Sequence, residues 1–433
     1  MRILQDSIEQ VLQGLPEQVL SELITHKLAT QGVKLSTRER KRLTREILRG
    51  GKGKFLLKRW NWWDHRQVSL DFTPQDIEQI ERKFTDFLEN RLPELIETAT
   101  GDLSRKVLAD LKRKWRAESR LQRRDLAGFR KRLYDRWKLP LEGLRMLLTI
   151  SRELGSSINQ EIRQSTEAST GKHLIDVLVR SHARACQITE EIIYLLEGGF
   201  ADGAMARWRT LHEVAVVASF VAAHGEDLAE RYVLHQAVES KRAAADYEKC
   251  QQRLGYEPLK ESEVKAVQSS YDAVIARFGP DFGKGGYGWA AHHVKIARPT
   301  FVDIERAAGI GHLRAHFRMA SHNVHANPKG IFFKLGLLDE SQVLLAGPSN
   351  AGLADPGHAA ALSLAQVSAA LGTLQPTLDN NAALQIIAQL VGELGELFGQ
   401  AHGRLLEDDF LTTGPHPRCV PPSGRCSAGW RRA

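Results

Sequence analysis

Residues 312–330 read HLRAHFRMASHNVHANPKG. On a helix of 3.6 residues per turn, Arg318, His322 and His325 fall at i, i+4 and i+7, on one face. An Arg and a His so placed suit phosphodiester cleavage. The guanidinium can hold a phosphate oxygen bidentately and balance the charge that builds there. A neutral imidazole can take the proton of a 2′-hydroxyl and return one to the leaving oxygen. Ser321 and Asn323 flank the face as further hydrogen-bond donors. This chemistry requires no cofactor and no metal. His312 with His316, and His322 with His325, do have zinc-ligand spacing, but no carboxylate or Cys accompanies them. The plainer alternative is an amphipathic helix whose His side chains are structural, which makes the protein a non-enzymatic helical interaction module.

A second group of charges lies in ARWRTLHE. Arg209 and Glu213 sit at i, i+4, and Arg207 points about 160° away from Arg209. Either they form an ordinary intrahelical pair, or Arg207, Arg209 and Glu213 join a polar cluster supporting the Arg318/His325 face. The run Gly283-Lys284-Gly285-Gly286-Tyr287-Gly288 could wrap a nucleotide phosphate with backbone amides, but it lacks phosphate-loop spacing, and a flexible turn is the favoured reading.

Helices must position these residues, and the expected fold class is all-α. Apolar residues in residues 1–35 recur with helical spacing. A new helix is signalled at Thr73-Pro74-Gln75-Asp76, and Pro93 opens another. Residues 102–137 read as one long basic helix that Pro140 ends. A helix from Lys172 stops at Gly198–Gly199, and its partner begins at once. Further helices are expected at 226–254, 261–278, 303–309 and 311–326, then a long one at 357–405 with a kink or break at Pro376. Residues 331–346 hold two β-type runs, expected as a small β-hairpin. The resulting organisation is a basic helical region at 1–165, a helical bundle at 170–410 and a disordered tail at 411–433, rich in Pro, Gly and Arg.

Charge is concentrated near the amino terminus. Residues 38–66 carry a net charge of +8 and residues 105–138 a net of +10, whereas the whole chain carries +8. Everything else is therefore acidic on balance. Basic runs around Lys58, Arg59, Trp60, Trp62 and Trp63 could neutralise phosphates while the indoles stack on unpaired bases, which makes RNA a candidate partner. The plainer alternative is a small Trp core with solvated charged helix faces. Four Cys in 433 residues exclude a disulfide framework. No apolar run is long enough to span a membrane, and MRILQDSIEQVLQGL is not a secretory signal, so a cytoplasmic protein with no membrane partner is expected.

Two resemblances add to this. The Arg-x6-His spacing from Arg318 to His325 resembles the motif of HEPN ribonucleases, with Met319 where that family usually has a polar residue. The resemblance implies an HEPN-like helical bundle, a homodimer and metal-independent endoribonuclease activity of the toxin or phage-defence kind, with Arg318 and His325 as the catalytic pair. Over residues 180–410, the ordered stretches GFADGAMARWRTLHE, ERYVLHQ, YGWA and RMASHNVHANPKG also resemble a bacterial all-α family of unknown function. That likeness implies a helical fold and no particular activity.

Overall fold

The structure, a computed structural model, describes residues 3–50, 54–58, 65–164, 171–338 and 344–413. Among them the chain is helical apart from one two-stranded ribbon. It divides into two compact units, Met1–Arg124 and Asp125–Ala433.

The first unit has a small core. Helix α1 (Ile3–Thr30) contributes Leu20, Ile24 and Leu28, which pack with Leu43 of α2 (Thr37–Leu48) and with Leu70. Ser36 and Thr73 cap α2 and α3 (Pro74–Asp86) through reciprocal bonds with Glu39 and Asp76, each leaving fewer orphan amides at a helix start. Asp76 also pairs with Lys27 of α1. That ammonium and the Thr73 hydrogen bonds lower its carboxyl to about 2. Strands β1 (Lys54–Lys58) and β2 (His65–Ser69) pair antiparallel, Lys54 opposite Ser69. Residues 59–64, with Arg59, Trp60, Trp62 and Trp63, lie outside the described residues, as does the side chain of Lys58.

Helix α4 (Leu92–Gln164) begins in the first unit and ends in the second. The expected stop at Pro140 is corrected: the helix runs through it. A proline inside a helix removes one amide donor and crowds the preceding turn. Here Trp137, Pro140, Leu141 and Leu144 are all buried in the core of the second unit, and burial of that face offsets the loss.

Helices α5 (Lys172–Glu197) and α6 (Ala201–Leu234) form the expected antiparallel pair. Gly199 makes their tight connection at φ 79°; a Cβ there would meet Ser349 O at 2.7 Å and the Phe129 ring at 2.9 Å. Against them packs α13 (Ala354–Gly372), and α14 (Leu378–Thr413) packs on α13 after the break around Pro376. Small residues on α13 let neighbours approach closely. Trp208 of α6 donates its indole N–H to Ala359 O at 2.9 Å and Ser363 Oγ at 3.0 Å. The helix expected at 226–254 is interrupted. Gly225 kinks α6 at φ 75°, and α7 (Gln236–Leu254) starts afresh after His235. Helix α8 (Glu261–Phe278) matches its expected bounds. Short helices α9 (Ala291–Val294), α10 (Phe301–Ala307), α11 (Arg314–Val324) and α12 (Pro328–Phe332) follow. No hairpin forms among the described residues of 331–346. Residues 328–332 make a helical turn capped by Asn327, which takes up the first of the two apolar runs. Residues 339–343 and 414–433, the latter most of the expected tail, lie outside the described residues.

One buried histidine makes the second unit sensitive to acid. His182 of α5 is only 4% exposed and lies against Gly155 of α4, with Ser368 Oγ 3.3 Å from its Nε2. Burial lowers its pKa from 6.5 to about 4. The unfolded chain therefore binds the proton more readily, and stability present above pH 6.5 falls as pH drops towards 4. This single site accounts for roughly 3 kcal/mol across that window. Urea denaturation at stepped pH should show this loss in the parent chain, and a clearly shallower one in His182→Gln.

Candidate functional site

Helix α11 is amphipathic, and its two faces do different work. Its inward residues Phe317 and Ala320 are buried, as is Leu313 in the 3-10 turn Gly311–Leu313 that leads into it. Arg318 points outward and is exposed, with no hydrogen bond or ion pair to its guanidinium among the described residues. Helical continuity through His322 holds as expected. The continuation to 326 does not: α11 ends at Val324, and His325 is its C-cap, with φ −106° and ψ 139°. Pro328 and the Asn327 cap start α12 just beyond, which leaves no room for a further turn. His325 still donates its amide to Ser321 O at 3.2 Å. It thus keeps its helical register, about 10 Å along the axis from Arg318, and its ring is exposed.

His322 has a defined orientation. Asn327 Oδ1 accepts the Gly330 amide at 2.8 Å, which turns Asn327 Nδ2 towards His322 Nδ1 at 2.9 Å. Nδ1 is therefore an acceptor, and the proton of the neutral ring belongs on Nε2. With Nδ1 occupied, the His322 ring is left with Nε2–H as its donor. Gly330 has to be glycine, because a Cβ there would sit 1.9 Å from His322 O. The Ser321 hydroxyl is occupied, donating to Phe317 O at 2.8 Å. Asn323 is half-buried.

The supporting charges divide. Arg209 pairs with Glu213 at 3.1 Å and stacks over Phe317, its carbon 4.9 Å from the ring centroid, so this pair does reach α11. Burial raises the Glu213 carboxyl, opposed by Arg209. Arg207 turns the other way, to Glu191 of α5, as the 160° separation requires.

Beneath α11 lies a network that sequence reading missed. His212 of α6 is fully buried, with Nε2 2.9 Å from Oε1 of Glu305 on α10. Glu305, 2% exposed, also receives Arg314 of α11 at 3.3 Å. Trp208, Phe317 and Phe301 ring the imidazole at 5.3, 5.6 and 6.2 Å between centroids. Burial lowers the His212 pKa more than Glu305 raises it. His212 is thus neutral and donates from Nε2, while the charge of Glu305 is balanced by Arg314. The only sequence signal was a His and a Glu inside otherwise apolar helical stretches, 93 residues apart.

A cavity of about 560 Å³ elsewhere in the second unit is lined by Arg152, Asn159, His182, Cys186 and Glu190, among others. Arg152 is paired with Glu190 at 2.9 Å, and burial pushes the Cys186 thiol up to about 11, so it offers no ready nucleophile.

Residues 175–342 match the model of a family of unknown function, DUF5677. The match contains all four stretches noted in the sequence, the buried His212–Glu305–Arg314 network and the Arg318/His325 surface. No curated protein and no solved structure matches the chain.

Removing Glu305 tests the network. Glu305→Ala strands Arg314 and the His212 donor and should cost about 3 kcal/mol or more in urea denaturation. Glu305→Gln, which can still accept from His212, should cost less. Hydrogen exchange over 314–324 should rise in the first variant.

Proposed function

We propose that the α11–α12 surface binds RNA and cleaves it by metal-independent transesterification. The observation that carries this is the exposure of Arg318 and His325, without side-chain partners among the described residues, in a chain segment with no acid. From Arg306 to Leu338 there are five Lys or Arg, four His and no Asp or Glu. A surface ion pair contributes little to stability, but neutralising these side chains would remove an attraction for phosphate. Phe332, 86% exposed on α12, offers a ring for a base to stack on.

In this reading Arg318 grips a non-bridging phosphate oxygen and stabilises the charge that develops on it. His325 removes the 2′-hydroxyl proton, and the 2′-oxygen attacks the adjacent phosphorus. The bond to the 5′-oxygen breaks, and that oxygen takes the proton back from the His325 imidazolium, leaving a 2′,3′-cyclic phosphate and a 5′-hydroxyl. His322 hydrogen-bonds the phosphate through Nε2. Both resemblances, to HEPN ribonucleases and to a bacterial all-α family, belong to this proposal, as does a homodimer.

Purified protein should cleave unpaired RNA in excess chelator and leave 2′,3′-cyclic phosphate ends. His325→Ala should lower the rate by roughly 10²–10⁴-fold, and Arg318→Ala by a comparable factor. Both should remain folded, because both side chains are exposed. Equal cleavage by parent and variants would make the surface a protein-docking face of a helical interaction module, with Ile331 and Phe332 as its apolar contacts.

A further inference from the structure

The first part of α4, from Leu92 to Arg124, buries no side chain against the described residues of its own unit. Leu108, Leu111, Trp115 and Leu121 are more than half exposed, at 52, 59, 58 and 51%. Arg105–Arg124 contains nine Lys or Arg and only two acids, Asp110 and Glu118. These charges are not scattered. At 100° per residue, Arg105, Lys112, Arg116, Arg120 and Arg123 fall within an arc of about 80°. Leu103, Val107, Leu111 and Trp115 occupy the opposite side. Arg105 is held by Asp102 at 2.5 Å, and Arg123 reaches back to Ser119 O. Lys112, Arg116 and Arg120 have no hydrogen bond or ion pair among the described residues.

We propose that this basic face is a docking track for the phosphate backbone of single-stranded RNA. The inference rests on the RNA reading above for its ligand, and not on cleavage. Charge complementarity selects the ligand: a row of cations about 27 Å long, from Arg105 to Arg123, suits a linear polyanion. Shape selects a single strand over an RNA duplex. The i, i+4 step places Lys112, Arg116 and Arg120 about 6 Å apart, and a flexible backbone can follow that row. The deep, narrow major groove of A-form RNA does not admit side chains.

The test uses the full chain and a short 2′-O-methyl oligoribonucleotide, which cannot be cleaved through its 2′-oxygen. Replacing three residues together, Lys112→Gln, Arg116→Gln and Arg120→Gln, should weaken binding roughly ten-fold or more near physiological salt. It should also lower the slope of log affinity against log salt by about 2, since each phosphate contact with a single strand contributes about 0.7. A control set, Arg184→Gln, Arg253→Gln and Lys265→Gln, makes the same change in net charge at exposed sites of the second unit and should leave binding intact. Unchanged affinity in the first set, or equal loss in both, overturns the proposal. So does preference for duplex DNA, whose major groove admits a helix. Binding to phosphatidylserine vesicles but not to the oligonucleotide, abolished by Leu111→Gln with Trp115→Gln, also overturns it. Tight, α4-dependent binding with no cleavage of unmodified RNA would support this track while removing the catalytic reading of Arg318 and His325.

Discussion

A carboxylate that is 2% exposed must be compensated, and Glu305 is compensated from two sides. Arg314 supplies the opposite charge, and neutral His212 supplies a hydrogen-bond donor. Three helices, α6, α10 and α11, are thereby tied at one point within an aromatic shell. Such a network is costly when incomplete, since each group left behind is a buried polar atom without a partner. It therefore restricts how α11 can sit. The helix cannot rotate to bury Arg318 without pulling Arg314 from Glu305, and it cannot slide without lifting Phe317 from beneath Arg209.

With α11 pinned from below, its outward face becomes a fixed surface. Asn327 extends the same logic across the chain turn, because one amide both caps α12 and orients His322. Glycine at 330 permits the close approach. The polar groups nearest Arg318 and His325 are accordingly occupied, by Phe317 O for Ser321 and by Asn327 for His322, whereas Arg318 and His325 make no side-chain bond among the described residues. For the phosphate chemistry proposed above, the donor already aimed is His322 Nε2, which needs no reorganisation, while Arg318 and His325 are the groups open to a ligand.

Local chemistry carried most of the legible part of the fold. Gly198–Gly199, Thr73-Pro74 and the apolar spacing of 261–278 place helix ends within a residue or two, because capping and period are properties of a few adjacent residues. Pro140 was misread for the opposite reason. Its cost is local, but the compensation comes from Trp137 and Leu141 packing on helices far along the chain. The apolar residues of 331–333 suggested a strand, yet a single capping bond from Asn327 selects a helical turn. At the site, the Arg318–His325 spacing was visible, and the capping role of His325 was not. The network that holds them was invisible, because His212 and Glu305 meet only through tertiary packing.

The exposed part of α4 raises a question of cost. A helix without tertiary packing depends on propensity and side-chain pairs, and short isolated helices are marginal in water. Continuity with the packed part spares α4 a separate nucleation, and Arg113 with Asp110 adds a small i, i+3 gain. Against this, Lys112, Arg116, Arg120 and Arg124 follow one another at i, i+4, three like-charged neighbouring pairs on a single face. Each such pair opposes the helix by some tenths of a kcal/mol, so the row costs about 1 kcal/mol at low salt. Among the described residues of the first unit no acid pairs with Lys112, Arg116 or Arg120, as Glu118 and Asp110 lie off the basic arc. A bound polyanion would relieve that repulsion, and the helix would then be more stable with its ligand than without.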